Sequence, residues 1–209
     1  MTEKTKKQLL LIKDIFDISK NLGLKTFLWG GFAVDVLNGS LTREHSDIDT
    51  FTENLVENKD VLIASYKSLG YSVDFYLEDF WMLAIKKNDI SATFNTVRNI
   101  DGIAHWHHAG VHGTVFFPFD WLDKEPRDFY GSMAYTYGIE LAFLLKTNVK
   151  LISAEWQLRD KDKADIAVLK TLLMSKGICE NTIRKKVWSH NPYWYAKGYD
   201  DYFLPITLS

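Results

Sequence analysis

Between Trp29 and Asp49 the chain carries two features able to act together on an anionic substrate. One is the diglycine Gly30-Gly31, the other the pair Asp47 and Asp49. In an extended strand, residues two apart project from one face, so both carboxylates converge while Ile48 turns the opposite way into the core. Carboxylates are hard oxygen donors suited to Mg²⁺, an ion that takes one or two protein carboxylates and completes its shell with phosphate oxygens. Two glycines let the main chain approach a triphosphate closely, and amides that open a helix favour an anion. Singly, a Gly-Gly pair reads as a turn and an Asp-x-Asp pair as a solvated strand end. Their order and closeness give them a joint reading, a site for a nucleoside triphosphate carried with its metal.

Such a site needs a strand, a turn into a helix, and a second strand. Thr26 to Trp29 is a short apolar run that reads as a buried strand ending at the glycines, and Phe32 to Leu37 reads as a short helix closed by Asn38-Gly39-Ser40. Ser46 to Phe51 alternates with period two, which predicts a strand from about Asp47. Before these, Leu9, Ile12, Ile15, Phe16 and Ile18 recur at helical spacing and predict an amphipathic helix over about 6–20. After them come a polar helix over about 57–69 and three runs, 71–77, 80–86 and 90–97, that read as an antiparallel meander. From about Arg98 to Arg127 the sequence turns irregular and aromatic, interrupted by Gly102, Gly110, Gly113 and Pro118, as in a substrate-facing loop or an edge. Leucine and alanine spacing predicts helices over 138–146 and 160–176. The expected division is therefore residues 1–137 as the main α+β domain and 138–209 as a helical region packed on it.

Composition narrows the partners. With 46% hydrophobic residues in 209, the chain can bury a sizeable core. A net charge of -2 gives no overall basic field, so a nucleic-acid substrate is not expected. The single cysteine, Cys179, excludes an internal disulfide framework, fits a reducing cytoplasm and reads as a small buried hydrophobe. No apolar run approaches the ~20 residues of a membrane span.

The order strand, Gly-Gly, helix, hydrophobic-Asp-x-Asp-hydrophobic resembles the signature of polymerase-beta-type nucleotidyltransferases. The fuller string, with Asp35, Gly39 and Arg43-Glu44-His45 between glycines and aspartates, is similar to the lincosamide and aminoglycoside 2''-adenylyltransferases. The resemblance extends more faintly to Gly131, Glu140 and Arg159-x-Lys161-Asp162-x-x-Asp165. It implies a mixed sheet flanked by helices, with Asp47 and Asp49 binding Mg²⁺ and Gly30 and Gly31 holding the phosphates of ATP or another nucleoside triphosphate. It also implies Arg43 and Lys161 near the site, and Glu140 as a carboxylate that deprotonates an acceptor hydroxyl. The residues themselves leave other readings open: a surface pair with Glu44 for Arg43, a solvated helix face for Lys161, and a helix-dipole partner for Glu140.

One position departs from the family pattern. Where a third carboxylate is expected on a neighbouring strand, Ala92-Thr93-Phe94-Asn95 places Thr93, whose neutral hydroxyl is a weak Mg²⁺ ligand and no general base. Asp89 and Asp74 are the nearest substitutes in sequence. The expected function is transfer of a nucleoside monophosphate, AMP above all, from a Mg-bound triphosphate to a hydroxyl of a small molecule such as an antibiotic. The alternative is a relative of the same fold that only binds nucleotide. The histidines 105, 107, 108 and 112 could be metal donors but lack an acidic or cysteine partner at suitable spacing, and the aromatic tail from Trp188 to Phe203 reads as packing.

Overall fold

The computed structural model describes residues 1–77, 82–108, 113–122, 125–148, 157–183 and 188–190, with main chain alone for 74–77, 107–108, 113 and 188–190. Helix α1 (Glu3–Asn21) starts at Thr2, whose hydroxyl accepts from the Thr5 amide, and buries the stripe Leu11, Ile12, Ile15 and Phe16. It leads into strand β1 (Thr26–Trp29), all four residues of which are buried. Helix α2 (Gly30–Asn38) follows without a connecting residue and ends at Gly39, which takes the left-handed conformation that a helix stop favours.

Strand β2 (Ile48–Glu53) pairs antiparallel with β1 and parallel with the long β5 (Ile90–Ile100), so the sheet is mixed. Helix α3 (Lys59–Ser68) separates β2 from the hairpin of β3 (Ser72–Leu77) and β4 (Met82–Lys87). One edge of β5 is taken by β2. The other is shared, with β4 along its first half and β6 (Ile103–His108) along its second. β7 (Gly113–Pro118) and β10 (Trp188–His190) continue the sheet beyond β6. A small hairpin, β8 (Arg127–Phe129) and β9 (Ser132–Ala134), returns the chain to β1, where Leu28 bonds to Tyr135 and Tyr137 on its free side. Helices α4 (Ile139–Thr147) and α5 (Asp160–Ser175) then pack on α2, and α6 (Glu180–Ile183) follows.

Two expectations need correction. Much of the 98–127 stretch is the β6–β7 hairpin rather than an irregular loop: Ala104, Trp106, Val115 and Phe117 alternate inward with period two, and the glycines and proline mark turns and strand ends. Cys179 is exposed, not buried, because it stands just ahead of α6, where its carbonyl accepts from Thr182. Behind the β1–β2 junction the core is aromatic, with Trp29 stacked on Phe51 at 5.3 Å and Trp106 edge-on to both at 4.8 and 5.0 Å. This packing fixes the strands that carry the site. Among the described residues no helix is long and apolar enough to cross a membrane.

Candidate active site

The strand-to-helix turn forces the first contact of the site. Gly30 has φ of 71°, a conformation open to glycine, and a Cβ there would stand 2.7 Å from Oδ2 of Asp49. Glycine therefore lets the main chain of the turn lie directly against a carboxylate of β2. Gly31 is equally crowded, and its absent Cβ leaves room for Nη2 of Arg43 and Nδ1 of His45. Tyr137 closes the turn from below, its hydroxyl donating to the Gly30 carbonyl at 3.1 Å.

Asp49 lies inside β2, level with Trp29 on one side and Thr93 on the other. Asp47 precedes the strand and is exposed, with Oδ1 accepting from Ser46 at 2.7 Å. Both aspartates line one cavity of about 310 Å³, together with Gly30, Gly31, Arg43 and Lys161. Burial, reinforced by the negative charge of Asp47, pushes the Asp49 carboxyl up to about 6, against the lowering effect of the Thr93 hydroxyl, Lys146 and Lys161. Such a carboxylate gains from a nearby cation. Among the described residues no group of three or more His, Cys, Asp or Glu is placed to hold a metal alone, so an ion here would draw further oxygens from a bound phosphate.

Thr93 occupies the register position opposite Asp49 and donates to its Oδ1 at 2.8 Å. Asp89 does not fill the gap. Asp89 lies at the exposed turn before β5, paired with Lys7 at 3.1 Å, and the Asp74 side chain is outside the described residues. Glu140 sits in the first turn of α4 and does not line the cavity; it is Lys146, in the last turn, that reaches it. The position of Glu140 favours its dipole reading.

Arg43 does not pair with the Glu44 side chain. Its Nε and Nη2 donate to the two oxygens of Asp165 at 3.0 and 2.9 Å, and Nη1 donates to the Glu44 carbonyl at 3.0 Å. Lys146 bridges Asp165 at 2.7 Å and Asp162 at 3.3 Å, and Arg159 is bound to Asp162. Burial would raise the Asp162 carboxyl, but Arg159 and Lys146 outweigh it and hold it down at about 2. Lys161 differs from these cations: among the described residues it has no acidic partner.

The loop joining α2 to β2 is held by groups whose roles were not legible in sequence. Asp35, fully buried, accepts from the Thr42 amide and hydroxyl through Oδ1 and contacts His45 Nε2 at 2.6 Å through Oδ2. Gln8 of α1 donates to the His45 carbonyl at 3.1 Å. A ten-residue Asp-to-His spacing across a glycine-capped helix was the one sequence signal for this clasp. His105, considered above as a metal donor, packs edge-on against Phe116 at 4.8 Å, while the 107 and 108 side chains, residue 112 and the tail beyond 190 lie outside the described residues.

The fold matches that of the antibiotic-resistance factor ANT(2'')-Ia in solution, with a TM-score of 0.62 and 19% identity over 82% of this chain and 86% of that one. ANT(2'')-Ia in complex with adenylyl-2''-tobramycin gives the same score and identity, covering 82% of this chain and 92% of that one. The lincosamide antibiotic adenylyltransferase LnuA, lincomycin-bound, matches at 0.58 and 22% identity, covering 82% of this chain and 98% of that one. No curated protein matches the sequence significantly. The non-catalytic alternative raised by Thr93 gains no support from any of these matches. The aminoglycoside-2''-adenylyltransferase profile matches residues 11–131, more than half of the sequence, from the middle of α1 to the turn after β8, and the chain belongs to that family.

Proposed function

We propose that this protein transfers AMP from magnesium-bound ATP to a hydroxyl of a small antibiotic-like acceptor, releasing pyrophosphate. The observation that carries this reading is the meeting, in one cavity, of the Gly30–Gly31 turn with two carboxylates and Lys161, which has no acidic partner among the described residues. The acceptor oxygen forms a bond to the α-phosphorus, the bond from that phosphorus to the bridging oxygen breaks, and the hydroxyl proton passes to solvent. Asp47 and Asp49 would hold Mg²⁺, which when bound neutralises phosphate charge in the transfer. The donor set fits, since two hard carboxylates, one disfavoured as a free anion by burial and by its neighbour, await a cation.

The turn amides at the start of α2 would receive the terminal phosphates, and Lys161 would offer its ammonium to the same oxygens. The Thr93 hydroxyl orients Asp49 through Oδ1 and leaves Oδ2 on the Gly30 side. The modest cavity and the balanced overall charge suit a small acceptor rather than a polymer. The test is pyrophosphate release on incubation with ATP, Mg²⁺ and a panel of aminoglycosides and lincosamides. Release with at least one acceptor is expected; Mg-ATP binding without release for any of them would overturn the catalytic reading.

A further inference from the structure

The wall of the cavity formed by α4, α5 and the α2–β2 loop carries four cations, Arg43, Lys146, Arg159 and Lys161, with the carboxylates of Asp47 and Asp162, and Asp165 lies behind it. Asp165 is the group on which two of those cations converge. Its side chain is 1% exposed in α5, and it receives Arg43 from the loop and Lys146 from the end of α4, elements far apart in the sequence. We infer that Asp165 is a positioning residue of the nucleotide site, holding Arg43 and Lys146 so that their remaining N–H groups face the polyphosphate. This rests on the reading of the cavity given above.

Donor accounting supports the assignment. A guanidinium has five N–H groups. In Arg43, Nε and Nη2 engage Asp165 and Nη1 engages the Glu44 carbonyl, which leaves one N–H on each of the two terminal nitrogens. Arg43 lies where a Gly31 Cβ would be, so those donors stand beside the turn that would receive the phosphates. Lys146 has three N–H groups, of which Asp165 and Asp162 take two. Both side chains are partly open to the cavity, at 20% and 12% exposure, whereas the carboxylate that orders them is closed off from it. A bidentate carboxylate fixes the plane of a guanidinium, which a solvated arginine does not have.

The sign of the effect separates positioning from simple charge. Removing a negative group next to an anion site tightens anion binding if that group acts through its field alone, and loosens it if the group sets the geometry of the cations. The experiment is calorimetric titration of the full chain with Mg-ATP and with inorganic tripolyphosphate in Mg²⁺, for the wild type and Asp165→Asn, at a temperature where their far-UV spectra coincide. The expected result is affinity about tenfold or more weaker in the variant for both ligands, with a shallower dependence on salt. Equal or tighter binding by the variant, or an unchanged salt slope, overturns the inference. Should Asp165→Asn not fold, Arg43→Lys decides: it keeps the charge and loses the two-pronged contact, and wild-type affinity in it overturns the inference equally. A wild type that binds neither ligand sinks the reading of the cavity itself, a result distinct from a wild type that binds both and variants that match it.

Discussion

Gly30 and Asp49 share one point in space: the place a Gly30 side chain would fill lies 2.7 Å from the Asp49 carboxylate. The turn and strand β2 can approach this closely only because residue 30 has no Cβ. Gly30→Ala is expected to lose on two counts, since its φ of 71° disfavours an L side chain by about 1–2 kcal/mol and the methyl would push Asp49 from the turn. Thermal unfolding should show a lowered midpoint, and Mg-ATP titration a loss of binding greater than the stability change explains. Unaltered binding in a folded variant would contradict the contact.

Asp49 is a site group held at a cost to the fold. Its folded value of about 6 lies above the usual carboxylate range, so the metal-free fold prefers it protonated. The cost is absent below about pH 4, builds up between about pH 4 and 6, and is fully present above about 6. Because Asp49 is partly exposed and screened, the penalty is of order 1–2 kcal/mol. Asp49→Asn keeps an acceptor for Thr93 and removes the charge, so in metal-free urea unfolding it should match the wild type near pH 3 and exceed it near pH 7.5. The same variant should bind no Mg-nucleotide. A stability gap that does not open with pH would refute the raised carboxyl.

Much of this arrangement was legible in the residues before any coordinates. The span of β1 agrees to the residue, and the helix after the glycines starts two residues earlier than its apolar pattern because glycines carry no hydrophobic signal. The parallel pairing of β2 with β5 brings Thr93 level with Asp49, the position at which a third carboxylate was missed. What sequence could not reveal is the long-range chemistry. For Arg43 the residues leave a surface pair with Glu44 open beside a place near the site, and only the fold brings Asp165 to it from 122 residues away. Periodicity also says which face of α4 is buried but not which end meets the cavity, so it assigns Lys146 no role and leaves Glu140 open between an acceptor base and a dipole partner. The β6–β7 hairpin was obscured by glycines and a proline that mark its turns and ends.

Thr93 acts through Asp49. Thr93→Val preserves shape and removes the donor to Asp49 Oδ1, which leaves a partly buried carboxylate short of one hydrogen bond. The folded protein should survive, since the β5 pairing is untouched, while Mg-ATP affinity drops about tenfold. Thr93→Ser, which restores the hydroxyl, should recover most of that loss. Full affinity in Thr93→Val would show that the hydroxyl has no part in orienting the carboxylate.

Asp162 carries the opposite pH signature. Arg159 and Lys146 hold its carboxyl near 2, below its unfolded range, so its contribution of about 2 kcal/mol is present above about pH 4 and disappears as pH falls through 2. Asp162→Asn should therefore be destabilised at pH 7 and approach the wild type as pH is lowered to 3. Urea unfolding at the two values measures this directly, and a constant difference would place the loss in packing rather than in charge.

Lys161 and Lys146 should separate binding from stability. Lys161 has no acidic partner among the described residues, so Lys161→Gln is expected to change stability by less than about 0.5 kcal/mol while weakening Mg-ATP binding about tenfold. Lys146→Gln breaks two buried ion pairs and leaves Asp162 and Asp165 with less compensation, so both stability and binding should fall. Paired denaturation and titration of the two variants give the comparison. If Lys161→Gln were as destabilising as Lys146→Gln, the ammonium of Lys161 would be a structural group and the phosphate role assigned to it would fail.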